Sequence, residues 1–119
     1  MAGMFEIADA AVEGALAAGA TYADVRVTAR TVRSIDVQNG DVEAINLSED
    51  VGVGVRALIG SSWGFFATDD LSTAGARRAG ERAAEIARAS ARVGGAPIEL
   101  ADVRVDAATW VTPHEVHPL

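Results

Sequence analysis

Near the start of the chain, apolar residues recur at helical spacing. Over residues 4–18, Phe5, Ala8, Val12 and Ala15 share one face, while Glu6, Asp9 and Glu13 share another. The spacing predicts an amphipathic helix whose early acids complement its dipole and whose end is set by Gly19. Gly14 lowers its helix propensity and is expected where the helix approaches a sheet closely.

From Asp24 the period becomes two. Val25, Val27, Ala29, Ile35 and Val37 alternate with Arg26, Thr28, Arg30, Ser34 and Asp36, which predicts a strand with one apolar face. Thr31, Val32 and Arg33 interrupt the alternation, so a bulge is expected there. Asn39-Gly40 supplies the φ > 0 pair of a type I′ hairpin turn. A returning strand is expected over residues 42–47, broken by the polar run Ser48-Glu49-Asp50. A third strand over 51–59 alternates Val51, Val53, Val55 and Ala57 with Gly52, Gly54 and Arg56. A turn at Gly60-Ser61-Ser62 leads into a short fourth strand over 63–67.

Asp69, Asp70 and Ser72 are candidate caps for a second helix over residues 73–92. Its apolar face reads Ala76, Ala79, Ala83, Ile86, Ala87 and Ala91. Its outer face carries Arg77, Glu81, Arg82, Glu85, Arg88 and Arg92, with Arg77 and Glu81 spaced for an i,i+4 pair. Gly94-Gly95-Ala96-Pro97 ends it. Residues 98–105 are expected as a further edge strand, and Trp110-Val111-Thr112-Pro113 as an extended exit segment. These elements predict an α+β fold of two layers: an antiparallel meander of four to five strands with two helices packed on it, in the order αββββα followed by a tail.

Composition narrows the functional classes. The 119 residues suffice for one domain with its own core. Half are apolar, and alanine is by far the commonest of them, so a shallow and tightly packed interior is expected. There is no cysteine, which excludes disulfides and thiolate metal sites and fits a cytoplasmic protein. No apolar run is long enough to span a membrane. All ten basic residues are arginine, a bias expected of a GC-rich bacterial genome, and the net charge of −7 argues against direct nucleic-acid binding.

Few residues carry candidate chemistry. His114 and His117 lie three apart between Pro113 and Pro118. The His-Glu-x-x-His zinc motif needs histidines four apart on one helical face, and proline at both flanks opposes a helix here, so these two read as a solvated tail. Gly52-Val53-Gly54-Val55-Arg56 lacks the strand–turn–helix setting and the lysine of a phosphate loop. Alternate glycines instead leave one sheet face bare, on which the ring of Trp63 or a partner's backbone is expected to lie. Gly52, Gly54, Arg56 and Trp63 are therefore the candidate contacts for a partner or peptide. Arg26, Arg30 and Arg33 are expected to be neutralised by acids across the strands. No catalytic, cofactor-binding or metal-binding residue is assigned.

Five stretches in fixed order resemble a known family. They are Gly19-Ala20-Thr21-Tyr22-Ala23-Asp24-Val25-Arg26, Val37-Gln38-Asn39-Gly40, Gly52 to Arg56, Trp63-Gly64-Phe65, and Ala67-Thr68-Asp69-Asp70. Together they look like the N-terminal domain of the TldD/PmbA (TldE) metallopeptidases, some historically called modulators of DNA gyrase. Trp110 to Pro118 resembles the family's linker, ending His117-Pro118 where Asp-Pro is usual.

The resemblance implies residues 1–108 as the N-terminal domain and 109–119 as the start of a linker to a C-terminal domain. It implies a TldD–TldE-type pair cleaving unfolded peptides, with zinc held in the C-terminal domain of a TldD-like parent by a His-Glu-x-x-x-His motif and a later cysteine. No position here matches that motif. The expected role is then a non-catalytic accessory domain enclosing peptide and contacting its own C-terminal domain and a partner subunit. The alternative is a free-standing interaction module that adds a peptide strand to its sheet edge.

Overall fold

The computed structural model describes residues 3–118, with the element order α1 (Met4–Ala17), β1 (Tyr22–Gln38), β2 (Asp41–Ile59), β3 (Ser62–Thr68) and α2 (Thr73–Ala91). The three strands form one antiparallel sheet in the order β1-β2-β3, with both helices on one face. The fold is α+β, but the sheet has three strands, not four or five, and the order is αβββα. Residues 98–105 form no strand: apart from an Ile98 N–H donated to the Gly60 carbonyl at 3.0 Å, they run without a ladder.

β2 absorbs two of the expected strands. Ser48, Glu49 and Asp50 do not break it, because the distal halves of β1 and β2 form a two-stranded arm with solvent on both faces. A polar residue costs little in such a ribbon, and Asp50 is held across the ladder by Arg30 at 3.0 Å. The arm closes at Asn39 (φ 51°) and Gly40 (φ 85°), the two left-handed residues a type I′ turn requires. The expected bulge at 31–33 is absent; the register shifts instead between Asp36 and Val37, beside the turn.

The inner sheet face supplies Val53, Val55 and Ala57, all buried, against α1 and α2. Here the helix faces match the expected ones at Ala15, Ala76, Ala79, Ala83 and Ala87 and differ elsewhere. α1 buries Ile7, Ala10, Ala11, Gly14 and Ala15, while Phe5 is 87% exposed. α2 buries Gly75, Ala76, Ala79, Gly80, Ala83, Ala84 and Ala87, while Ile86 is exposed. The reason is the close approach of backbones. A methyl group on Gly14 would overlap the Arg77 carbonyl, so that glycine meets α2 and not the sheet. One on Gly80 would overlap the Ala11 carbonyl, and one on Gly64 of β3 would overlap the α2 backbone at Ala83 and Ala87.

Between the helices, Arg77 pairs with Glu13 of α1 at 2.8 Å and not with Glu81. Arg88 donates to the Ala18 carbonyl at the end of α1. Ser72 caps α2, its hydroxyl accepting from the Gly75 N–H at 3.0 Å. Asp70 in turn accepts from the Ser72 hydroxyl and N–H, and these bonds hold its carboxyl below the usual carboxylate range.

Two outcomes follow from this packing. Gly80→Ala should lower stability by about 1–3 kcal/mol, the usual cost of overpacking a tight contact, read as a reduced thermal midpoint with unchanged helical circular dichroism. Asp70 has a depressed folded pKa, so its contribution is complete above the ordinary carboxylate value and is lost as pH falls through the folded one. Asp70→Asn should therefore shrink the loss of thermal midpoint between about pH 5 and about pH 2; an acid limb identical to that of the parent would contradict the assignment.

Candidate functional site

The outer sheet face, opposite the helices, is where the sequence-selected residues converge. Register places Tyr22, Leu58 and Trp63 in one row, Asp24, Arg56 and Phe65 in the next, and Arg26, Gly54 and Ala67 in the third. Thr28 and Gly52 follow as a pair beyond the third row. Gly52, Gly54, Arg56 and Trp63 thus share one face.

The first two rows form a fixed polar network. One oxygen of Asp24 accepts from Arg56 Nη2 at 2.6 Å, from Arg56 Nε at 3.1 Å and from the Tyr22 hydroxyl at 3.0 Å. The Arg56 guanidinium lies 4.4 Å from the Trp63 ring centroid, and Tyr22 meets Trp63 edge to face at 5.9 Å. The carboxylate beside them raises the pKa of Tyr22 and of Arg56, through its hydrogen bond to each in the first place. Arg56 therefore has its charge satisfied and its plane stacked. Leu58, at the centre of the row, is buried. Residues 100–105 pass alongside and, with Tyr22, Arg56 and Trp63, line a cleft of about 650 Å³.

The ring over the glycines is not Trp63. A Cβ on Gly54 would sit 3.2 Å from Phe65 Cε2, so Phe65 occupies that space while Trp63 stacks one row away on Arg56. Phe65 was not singled out from sequence; the signal that finds it is the tight Gly60-Ser61 turn, which pairs Ile59 with Ser62 and fixes every later partner. Beside Phe65 a groove of about 450 Å³ opens, with Gly52 and Gly54 among its lining and Arg26 and Thr28 on the β1 side. Arg30 is neutralised by Asp50 as expected, but Arg33 lies on the opposite face and Arg26 has no ion-pair partner among the described residues.

The histidines lie away from this face. His114 and His117 flank a bend, their rings edge to face at 5.6 Å, and His114 Nδ1 lies 2.8 Å from the Thr112 carbonyl. A protein zinc site needs three or four converging donors. Among the described residues no group of three or more histidine, cysteine or acidic side chains converges in that way, so this donor set does not fit zinc. No described helix is long and apolar enough to cross a membrane.

Because Trp63 is only partly buried, its removal should cost less than the ~3–5 kcal/mol of a core tryptophan. Trp63→Ala should destabilise by about 1–2 kcal/mol, the scale of a cation–π contact with some packing, measured by urea denaturation. A loss as large as that of a core residue would mean that the ring carries the fold.

No curated protein matches the chain. The family model described as PmbA/TldA metallopeptidase domain 1 matches residues 23–87, from the second residue of β1 to near the end of α2. That span takes in the arm, the outer-face network apart from Tyr22, the glycine strand and most of the helix that packs beneath. The chain belongs to the PmbA/TldD metallopeptidase family, and residues 23–87 are its domain 1.

Proposed function

We propose that this chain is the non-catalytic N-terminal accessory domain of a PmbA/TldD-type zinc metallopeptidase, contributing to the enclosure of unfolded peptide and to subunit contacts. In this reading zinc belongs to the C-terminal domain of a TldD-like parent, and residues 109–119 lead toward that domain. The partners are that C-terminal domain and a TldD/TldE-type subunit in the bacterial cytoplasm. Neither nucleic acid nor membrane is bound directly, in keeping with the net charge of −7.

The observation that carries this reading is the arm. Beyond the helices, the inner sheet face continues along β1 and β2 as Ile35, Val37, Val42, Ile45, Leu47 and Val51, all exposed. Ile35 pairs with Ile45 and Val37 with Val42, so with Leu47 they form an apolar cluster at the arm's tip, separated from Val51 by the Thr31–Glu49 row. An isolated two-stranded ribbon is marginal in water, and contiguous exposed apolar surface of this kind marks protein–protein contact. The arm also accounts in part for a radius of gyration of 18.9 Å, against about 13.5 Å for a compact chain of this length. The match to a metallopeptidase domain 1 supports taking the remaining parts of a peptidase assembly as the partner.

Placing aspartate at both Ile35 and Ile45 should change the stability of the body by no more than about 0.5 kcal/mol, because both side chains are already in water. The same double variant should lose association with the C-terminal domain or the paired subunit, followed by sedimentation of mixtures. Undiminished association would remove the arm from the interface and, with it, the main support for the accessory role.

A further inference from the structure

We infer that the groove over Gly52 and Gly54 is a binding site for a peptide carboxylate with an apolar neighbour, Arg26 being the group that takes the anion. The site has a floor, two unlike walls and a closed end. Its floor is the backbone of β2, bare at Gly52 and overlain by the Phe65 ring at Gly54; its β1 wall is Arg26 and Thr28; its β3 wall is Phe65 and Ala67. The Asp24–Arg56 pair closes one end. The groove's volume of about 450 Å³ falls within the range of small-ligand sites.

Two independent features point to an occupant. The first is Gly52. A Cβ there would meet only the Thr68 carbonyl oxygen, at an ordinary 3.6 Å, and its φ lies outside the left-handed region. Glycine weakens a strand interior, so a mid-strand glycine without an internal steric reason marks the close approach of another backbone. Gly54 differs, because Phe65 fills the space above it.

The second feature is charge. In a chain of net charge −7, Arg30, Arg56, Arg77, Arg78 and Arg82 are engaged by carboxylates. Arg26 has no such partner among the described residues, and unlike the other arginines without one (Arg33, Arg88, Arg92 and Arg104) it stands on the wall of this groove. Asp24 and Arg56 cancel, which leaves a net charge of +1 in the groove from Arg26. A single guanidinium beside a threonine hydroxyl suits a monoanionic carboxylate, which it can grip through two parallel N–H bonds. A phosphate dianion would leave charge uncompensated. Phe65 offers an apolar surface to a side chain flanking the carboxylate, and the glycine floor lets an extended backbone lie flat.

That the carboxylate arrives on a peptide rests on the peptidase-accessory reading; that the groove takes a carboxylate does not. The test titrates the chain with an N-acetylated tetrapeptide of alanine and leucine bearing a free C-terminus. Its C-terminal amide, the amide with one internal glutamate, and propionate serve as comparisons, all followed by amide and ring NMR shifts. The free acid should shift Gly52, Gly54, Arg26 and Phe65, and the plain amide should bind roughly tenfold to a hundredfold more weakly, as loss of a charge-assisted hydrogen bond requires. Equal binding by the glutamate peptide would place the carboxylate on a side chain, and preference for the free acid would place it at a chain end. Either result supports the site.

Arg26→Gln should abolish the difference between acid and amide. Gly52→Val should block binding while the thermal midpoint stays near that of the parent; if that variant does not fold, the exposed Arg26→Gln decides alone. Propionate binding as tightly as the peptide would keep the carboxylate site and overturn its peptide assignment. Shifts absent from all four residues with every probe would overturn the site itself.

Discussion

The architecture depends on backbones that touch. Gly14 against Arg77, Gly80 against Ala11, and Gly64 against Ala83 and Ala87 leave no room for a single added methyl group. Large side chains would hold two helices and a sheet 8–10 Å apart. Here alanine and glycine draw them together, and the buried area comes from many small contacts in place of a few large ones. Among the fully buried side chains the largest are Ile7, Val53 and Val55, modest for a domain of this length. Such a core is unforgiving, since a close-packed interface without flexible side chains has little means of adjusting to added volume.

The same constraint decides which parts of the fold can be read from sequence. Local signals carried through: the Asn39-Gly40 turn, the positions of both helices and the alternation along β1 are all present. The helix faces carried through in part: Ala76, Ala79, Ala83 and Ala87 of α2 and Ala15 of α1 are buried as expected, but the larger Phe5 and Ile86 are not, because in this interface the smallest residues mark the contact. Phe5 and Ile86 therefore point outward, while Gly14 and Gly80 sit at the crossing. The merging of two expected strands into β2 has a related cause. A polar run such as Ser48-Glu49-Asp50 breaks a buried strand, but the arm has no buried side. Of the site, Gly52, Gly54, Arg56 and Trp63 were legible as a group. Phe65, Arg26 and Thr28 needed the register, which is a long-range property of the sheet.

The sheet works as two surfaces with different physics. Its inner face is covered by the helices near the body and left bare along the arm, so its apolar residues are core at one end and, beyond the Thr31–Glu49 row, an exposed cluster at the other. Its outer face has no helix at all. There the Tyr22–Asp24–Arg56–Trp63 network replaces hydrophobic cover with directional bonds and ring contacts. Such a network resists rearrangement because each member satisfies another, which gives the neighbouring groove a rigid border.

That border explains why one arginine on the outer face differs from its neighbour. Arg56 is held by a carboxylate on one side and an indole on the other, so it cannot turn toward a ligand without giving up both. Arg26, one row farther along, faces Gly54 across the ladder and so has no cross-strand side chain to lean on. A cation opposite a glycine is left to water unless a ligand arrives. Two neighbouring glycines thus divide the work: Gly54, beneath the Phe65 ring, denies Arg26 a cross-strand side chain, and Gly52, one row on and opposite Thr28, leaves the strand bare for a ligand backbone. On the accessory role proposed above, a bare strand and an unpaired guanidinium on the outer face suit the holding of chain segments. The apolar arm lies on the continuation of the opposite face, so the proposed subunit contact and the proposed groove need not compete for the same surface.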